Sequence, residues 1–391
     1  MLYKNSVEDI RLFLNRFQEQ YSKKNIKKLD NFIKEFFVDE YDTSLIGSGK
    51  GDLYFGTAAI KTVFASYWTN EDKYLSNIEL DINNSKITIE GNSAVITICG
   101  KNTMTIEKQK MYKKMIDKIS KNLNKNNVSK IELMRLSNEI SRTFYEACQS
   151  NEYIWPFRLS GMVIYDGESL KFKHINISFG ACNGWESWIS SDNIDKSYFI
   201  IPAKSKDDSE KKAIMRTLLK LQEAYKDRDI NSVEALTEDI FMNTKDAFIF
   251  GTDEGENFEG ERAAKDLLES DFKYWGDFSL NAENSFISVN GNMAWVFSKA
   301  FQRDTDLSQL IYDSLGDLYH NYIITSDKSN EEKLLLMLWK TTKRLYDAEF
   351  GSIFNVPMKF TGVLIKKDNK WRILHMHFSD YIDGMPEERQ F

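Results

Sequence analysis

At 391 residues the chain exceeds the ~250–300 at which a single hydrophobic core stops growing, so two domains are expected. Hydrophobic residues make up 42%, charged residues 28%, and there are only 4 prolines, a globular composition that excludes disordered and collagen-like classes. A net charge of -7 argues against a whole-chain grip on nucleic acid or on an anionic membrane, so neither is expected as a partner.

The N-terminal stretch MLYKNSVEDIRLFLNRF mixes charged and apolar residues and has no unbroken apolar core, and no stretch approaches the ~20 apolar residues of a membrane helix. Cys99, Cys148 and Cys182 have no metal-ligand spacing and read as reduced thiols. A soluble, cytoplasmic protein is the expectation. No motif calls for a metal or a cofactor, and none is expected.

The chain reads as a tandem repeat. QEQYSKKNIKKLDNFIKEFF (18–37) aligns with QEAYKDRDINSVEALTEDIF (222–241), 204 positions later, and the same offset carries Gly47, Gly51 and Gly56 onto Gly251, Gly255 and Gly260. IEGNSAVIT (89–97) matches VNGNMAWVF (289–297), and Pro156, Gly161 and His174 match Pro357, Gly362 and His375. Domains at 1–195 and 207–391 follow, joined near the charged AKSKDDSEKK (203–212).

Each copy opens with two amphipathic helices. Ile214, Leu218, Leu221 and Tyr225 form one apolar stripe; Val233, Leu236 and Ile240 form another. A short strand (246–251) leads into a glycine-rich loop, LIGSGKGDLYFG (45–56) in copy one and IFGTDEGENFEG (249–260) in copy two. Copy one superficially suggests a phosphate cradle. No Ser or Thr follows Lys50 and Gly51, however, and copy two puts Asp253 and Glu254 where copy one has Gly49 and Lys50. Glycines that persist through that change of charge point to backbone geometry.

A third helix (261–275) and strands at 284–289, 292–301, 358–368 and 370–379 complete copy two, with a turn at KDNK (367–370). From Asn92 to Pro156 is 64 residues and from Asn292 to Pro357 is 65, far more than a hairpin loop needs, and the inserted stretches read as helical hairpins with a capping box at Ser129–Glu132 and at Ser329–Glu332. Residues 101–130 hold nine Lys against Glu107 and Asp117, whereas 301–330 hold Arg303 and Lys328 against five Asp. The insertions are either solvated helix faces or surfaces that dock on each other or on a protein partner.

FGTDEGENFEGERAAKDLLESDFKYWGDFSL (250–280), VNGNMAWV (289–296) and KWRILHMHFS (370–379) resemble the SnoaL-like branch of the nuclear transport factor 2-like superfamily. The resemblance covers nearly all of copy two outside the insertion and is weaker in copy one, where Asn176 stands at the place of His377. It implies an α+β fold: two tandem cone-shaped barrel domains, each a curved antiparallel sheet packed on helices; the helical insertion read in each copy departs from the short hairpin usual in that family. It also implies a conical pocket, and an internal pseudo-dimer of the two halves. Relatives include isomerases, cyclases and dehydratases as well as non-catalytic binders, so function rests on the site.

Strict alternation puts Trp371, Ile373, His375, His377 and Ser379 on one face of the last strand. The two histidines read as an acid–base pair, as metal ligands lacking a third partner, or as hydrogen-bonded structural residues. Trp295 and Phe297 share a bulky strand face, and Trp68 and Trp275 end the third helices. These six residues, Trp68, Trp275, Trp295, Phe297, His375 and His377, are the pocket candidates. Asp380 and Glu256 are the nearby carboxylates, and no motif specifies a catalytic residue. The favoured expectation is a small apolar ligand bound without catalysis. The alternatives are an isomerase-, cyclase- or hydratase-type enzyme using a pocket histidine, or a scaffold acting through the insertions.

Overall fold

The computed structural model describes residues 6–49, 51–69, 75, 77–105, 107–123, 128–148, 152–180, 201, 209–253, 255–275, 277–304, 327–348 and 354–381. The first half runs α1 (Val7–Ser22), α2 (Leu29–Phe36), β1 (Ser44–Ile46), β2 (Leu53–Phe55), α3 (Thr57–Thr69), β3 (Ile78–Leu80), β4 (Lys86–Glu90), β5 (Ser93–Thr105), α4 (Lys108–Leu123), α5 (Lys130–Cys148), β6 (Glu152–Tyr165) and β7 (Leu170–Phe179). The second half runs α6 (Ser209–Asp227), α7 (Val233–Ile240), β8 (Phe248–Phe250), β9 (Asn257–Glu259), α8 (Ala263–Tyr274), β10 (Asp277–Ser279), β11 (Phe286–Asn290), β12 (Met293–Asp304), α9 (Asn330–Ala348), β13 (Phe354–Lys367) and β14 (Lys370–Asp380).

One sheet has the order β2-β1-β7-β6-β5-β3 with β4 on β5; the other has β9-β8-β14-β13-β12-β10 with β11 on β12. Among the described strands, β1 with β7 and β8 with β14 pair in parallel and the remaining strand pairs are antiparallel. The two halves therefore share one α+β topology, a curled sheet with helices on one face. The domain ends at 195 and 207 fall outside the described residues, as do Cys182, Trp185, Trp188 and His320.

Local chemistry explains the elements. The stripe Ile214, Leu218, Leu221 and Tyr225 is buried along α6. Both capping boxes form: Ser129 N–H donates to Glu132 at 2.9 Å and Ser329 N–H to Glu332 at 2.8 Å, with the return bonds from Glu132 and Glu332 N–H at 3.3 Å. The β13–β14 hairpin turns on Asp368 and Asn369, both at positive φ, residue types that tolerate the left-handed conformation.

The alternation expected across 371–379 does not hold. A β-bulge shifts the register between Val363 and Leu364, so Val363 faces His375 while Leu364 faces Ile373, and Leu374 is the extra residue. Trp371 and Ile373 therefore pack in the helix-side core with Met376 and Phe378, while His375 and His377 go to the opposite face. The first half has the same bulge at Met162/Val163, which separates Phe172 from His174.

The faces turned away from the helices pack against each other. Val38, Ile46, Val95, Met162 and Ile164 of the first half join Phe286, Met293, Trp295, Phe297, Val363, Ile365 and Leu374 of the second in one apolar cluster. Trp295 is fully buried there and stacks on His174 with ring centroids 5.4 Å apart and planes 13° from parallel. Truncating Trp295 to Ala leaves a cavity between the sheets that neither can collapse to fill. Chemical denaturation is expected to show a loss of about 3–5 kcal/mol, against about 1 kcal/mol or less for a solvated position such as Leu12.

Candidate functional site

Trp68 lies on the helix side of the first sheet, within rings that include Tyr21 at 5.9 Å and Phe32 at 5.0 Å. Trp275 caps α8 on the helix side of the second sheet, stacked on Phe278 at 5.2 Å. Trp295, Phe297, His375 and His377 are all buried between the two sheets instead. The six candidates thus occupy three separate places and line no common cavity.

Between the sheets the polar groups form a directed chain. His375 Nδ1 lies 2.7 Å from the Phe248 carbonyl, which can only accept, so this nitrogen carries the proton. Its Nε2 is then an acceptor, 2.7 Å from Ser160 Oγ, and the Ser160 hydroxyl donates to it. Ser160 Oγ in turn accepts from His377 Nδ1 at 2.8 Å, which leaves His377 Nε2 to accept from the Ser178 hydroxyl at 2.6 Å. Both imidazoles are neutral Nδ1–H tautomers with every nitrogen satisfied, and two serines of the first half hold two histidines of the second.

Burial pushes the His375 imidazole down to about 4. Burial, then Arg158 and His375, hold His377 well below the usual range. His174, bonded to Ser44 at 2.9 Å, is pushed down to about 3 by burial and by Lys173. Both rings are thus held neutral at pH 7, with their nitrogens engaged by Ser160, Ser178 and the Phe248 carbonyl. Asn176, at the place of His377 in the first half, donates to Thr361 at 3.1 Å.

The glycine-rich loops have a use that their sequence did not reveal. Arg158 of the first half is buried and donates to the Thr252 carbonyl at 3.0 Å and the Asp253 carbonyl at 2.9 Å in the second half's loop. Lys359, its counterpart in the second half, is equally buried and donates to the carbonyls of Gly47 and Gly49 in the first half's loop, the latter at 2.6 Å. A phosphate cradle must present free N–H groups, but here a carboxylate of the same loop takes them: Asp52 accepts from Gly49 at 2.8 Å, and Glu256 from Thr252 at 2.7 Å and Asp253 at 3.0 Å. Each loop is therefore a socket for a cation from the other half.

The close fit explains part of the glycine pattern. A Cβ on Gly251 would lie 2.5 Å from Glu256 Cβ, and Gly56 and Gly260 adopt φ of +80° and +85°. At Gly51 and Gly255 a Cβ would meet nothing within 4 Å. Glu256 is thus an organiser of its loop. Asp380 lies buried in β14, close enough to Arg158 to act on it electrostatically.

Two adjoining clefts of about 480 and 500 Å³ open where the halves meet, sharing Asp81, Asn83, Cys99 and Asn257. Their walls mix charged and polar side chains with apolar ones such as Phe250 and Phe157, and the Lys86–Glu259 ion pair at 2.8 Å spans the two halves there.

Sequence reasoning missed one titratable group. Asp271 on α8 accepts from the Tyr225 hydroxyl at 2.6 Å on the helix side of the second half, and desolvation, with a contribution from Glu256, pushes its carboxyl up to about 7. The only sequence signal is a lone acid on the otherwise apolar face that α8 turns toward the α6 stripe.

The histidines stay neutral in the folded chain but ionise near 6.5 once it unfolds, so below that pH the unfolded chain binds more protons. Stability is therefore expected to fall as pH drops from about 6.5 toward 4, read by urea midpoints. Ser160→Ala, which strips a partner from both rings, is expected to cost about 2–4 kcal/mol at pH 7.

No curated protein matches the sequence. Among solved structures the chain is similar to an NTF2-like superfamily protein from Salmonella enterica serovar Typhimurium LT2 (15% identity, TM-score 0.29, 46% of this chain and 95% of that one). It is also similar to a candidate scytalone dehydratase from Novosphingobium aromaticivorans DSM 12444 (10%, 0.28, 44% and 83%) and to a candidate dehydratase of the NTF2-like family from Streptomyces avermitilis (9%, 0.29, 45% and 97%). Over residues 214–311, from α6 to beyond the end of β12, the chain is similar to the SnoaL-like domain family.

Proposed function

We propose that the chain is a non-catalytic SnoaL-like binding module in which the two halves form an internal pseudo-dimer and only the second accepts a ligand. One observation carries the reading: Ser298 Oγ and Gln302 Oε1, both buried on the helix-facing side of β12, have no hydrogen-bond partner among the described residues. A buried polar atom left unpaired costs about 1–3 kcal/mol, and a ligand bringing its own polar group would recover it.

The contrast between halves supports the same site. Phe13, Phe17, Phe36, Phe64 and Phe172 fill the helix–sheet interior of the first half, with Phe13 and Phe172 at 4.9 Å. At the matching positions the second half has Thr217, Leu221, Ile240, Leu268 and Ile373, and Ser298 stands where the first half has Ile98. Smaller side chains and spare polar atoms suit a small, mainly apolar ligand with one or two hydrogen-bonding groups. The six sequence candidates contribute unequally to this reading: Trp275 borders the site, while Trp295, Phe297, His375 and His377 hold the halves together.

Native mass spectrometry of the gently purified chain should show excess mass that is lost on denaturation. Ser298→Phe should abolish it while leaving the thermal midpoint within a few degrees. A bare chain, or excess mass that survives Ser298→Phe, would overturn the reading.

A second reading is favoured by Asp271. A carboxyl near 7 bonded to a phenol is poised for general acid–base work, with the Tyr225 hydroxyl as the donor. Because the folded-state value lies above the usual 3.8, the group also costs stability as pH rises from about 4 to 7. Asp271→Asn is expected to stabilise the chain more at pH 8 than at pH 5, and equal effects at both would remove the shifted carboxyl from consideration.

A further inference from the structure

The halves are related by a pseudo-twofold axis. Arg158 and Lys359 each enter the other half's loop, and Ser141 of α5 meets its equivalent, Thr342 of α9, at 2.6 Å. Each groove along the contact between the halves therefore occurs twice, and the two copies of one groove are built differently.

On one side the groove is shut. Phe286 and Phe297, paired across β11 and β12, cluster with Ile46, Leu53 and Phe55 of β1 and β2, and the Phe55 and Phe286 rings lie 5.1 Å apart. On the other side the equivalent positions of β4, β5, β8 and β9 carry Lys86, Thr97, Phe250, Asn257 and Glu259, which line the cleft of about 480 Å³. The Lys86–Glu259 ion pair thus stands where the rings of Phe286 and Phe55 meet in the other copy. Packed rings seal a groove, whereas an exposed ion pair does little to hold one closed.

Helix α1 extends the contrast. Arg11, Asn15 and Gln18 recur at +4 and +3 and all line the clefts, while their equivalents on α6 are Met215, Leu219 and Gln222. Arg11 is half-buried in the wall; its Nε has no hydrogen-bond partner, and no carboxylate pairs with its guanidinium, among the described residues. The neighbouring acids are engaged elsewhere: Glu259 pairs with Lys86, and Asp81 accepts from Asn84 Nδ2 at 2.9 Å. A guanidinium has only donors and keeps its charge, so partial burial without a partner is costly until an anion completes it.

We propose that this cleft is a second binding site, separate from the helix-side interior, for a small hydroxylated oxyanion. Its carboxylate or phosphate head sits on the Arg11 fork, which suits either group bidentately, and its hydroxyls face Asp81 and Asn83. The cleft has the volume of a small-molecule site, and its polar wall selects a polar body. The site opens to solvent, so its occupant exchanges during purification.

Isothermal titration calorimetry of the full chain in low salt tests it, with glucose 6-phosphate and gluconate as probes and glucose as the uncharged control. At least one anionic probe should bind saturably with a Kd below about 1 mM, and glucose should not bind. Binding of glucose 6-phosphate alone assigns a phosphate head, and binding of gluconate alone a carboxylate. Arg11→Met should weaken binding at least about tenfold, while Arg16→Met, which breaks an exposed pair with Glu35 on the same helix, should not. Lys86→Phe with Glu259→Phe should close the groove and abolish binding with Arg11 intact, which serves if Arg11→Met does not fold; thermal midpoints check each variant. Ser298→Phe should leave binding unchanged, so failure here is distinct from failure of the apolar-ligand reading. No binding of either anion at about 10 mM, binding of glucose equal to that of the anions, or binding indifferent to both the Arg11 and the groove-closing variants would overturn the proposal.

Discussion

The two sheets close face to face around one directed hydrogen-bond chain centred on Ser160, which satisfies every nitrogen of the buried His375 and His377. It runs from Ser178 through His377, Ser160 and His375 to the Phe248 carbonyl, crossing between halves three times. Around it lies an apolar cluster drawn from both sheets, and at its margins sit the two reciprocal cation sockets. The separate features depend on this contact: the glycine loops keep their shape to receive Arg158 and Lys359, and α5 meets α9 because the halves are related by one pseudo-twofold axis.

The contact also redistributes chemistry between the copies. Residues that resemble catalytic equipment in isolation, a histidine pair and a glycine-rich loop, are consumed in joining the halves. The helix-side interiors then diverge. The first is packed with rings such as Phe17, Phe36 and Phe37. The second trades several of those rings for aliphatic or hydroxyl side chains and keeps Asp271 and Tyr225 in contact. The two halves share one sheet topology and pack face to face, while their helix-side interiors differ in composition.

Much of the fold was legible in the sequence because periodicity and capping are local. The α6 stripe, both capping boxes and the Asp368–Asn369 turn each follow from a few neighbouring residues. The rejection of a phosphate loop was legible too, from the acids at 253 and 254. The position of the histidines was not. A single extra residue, Leu374, reverses the phase of β14, and a bulge leaves no mark in composition. The cation sockets were hidden because each joins residues about 95 or 310 positions apart. Asp271 escaped notice because its shift arises from desolvation, which depends on packing and not on sequence spacing.

The most direct test is long-range ¹⁵N–¹H correlation of the imidazoles, which is tractable because the chain has only 4 histidines. Each ring's two nitrogen shifts report its tautomer and charge. The expected spectrum shows His375 and His377, assigned through single substitutions, as neutral Nδ1–H tautomers unchanged from pH 8 down to pH 5. Titration of either ring with a midpoint near 6.5, or an Nε2–H tautomer at either site, would contradict the directed chain between the sheets and with it the view that these histidines join the halves.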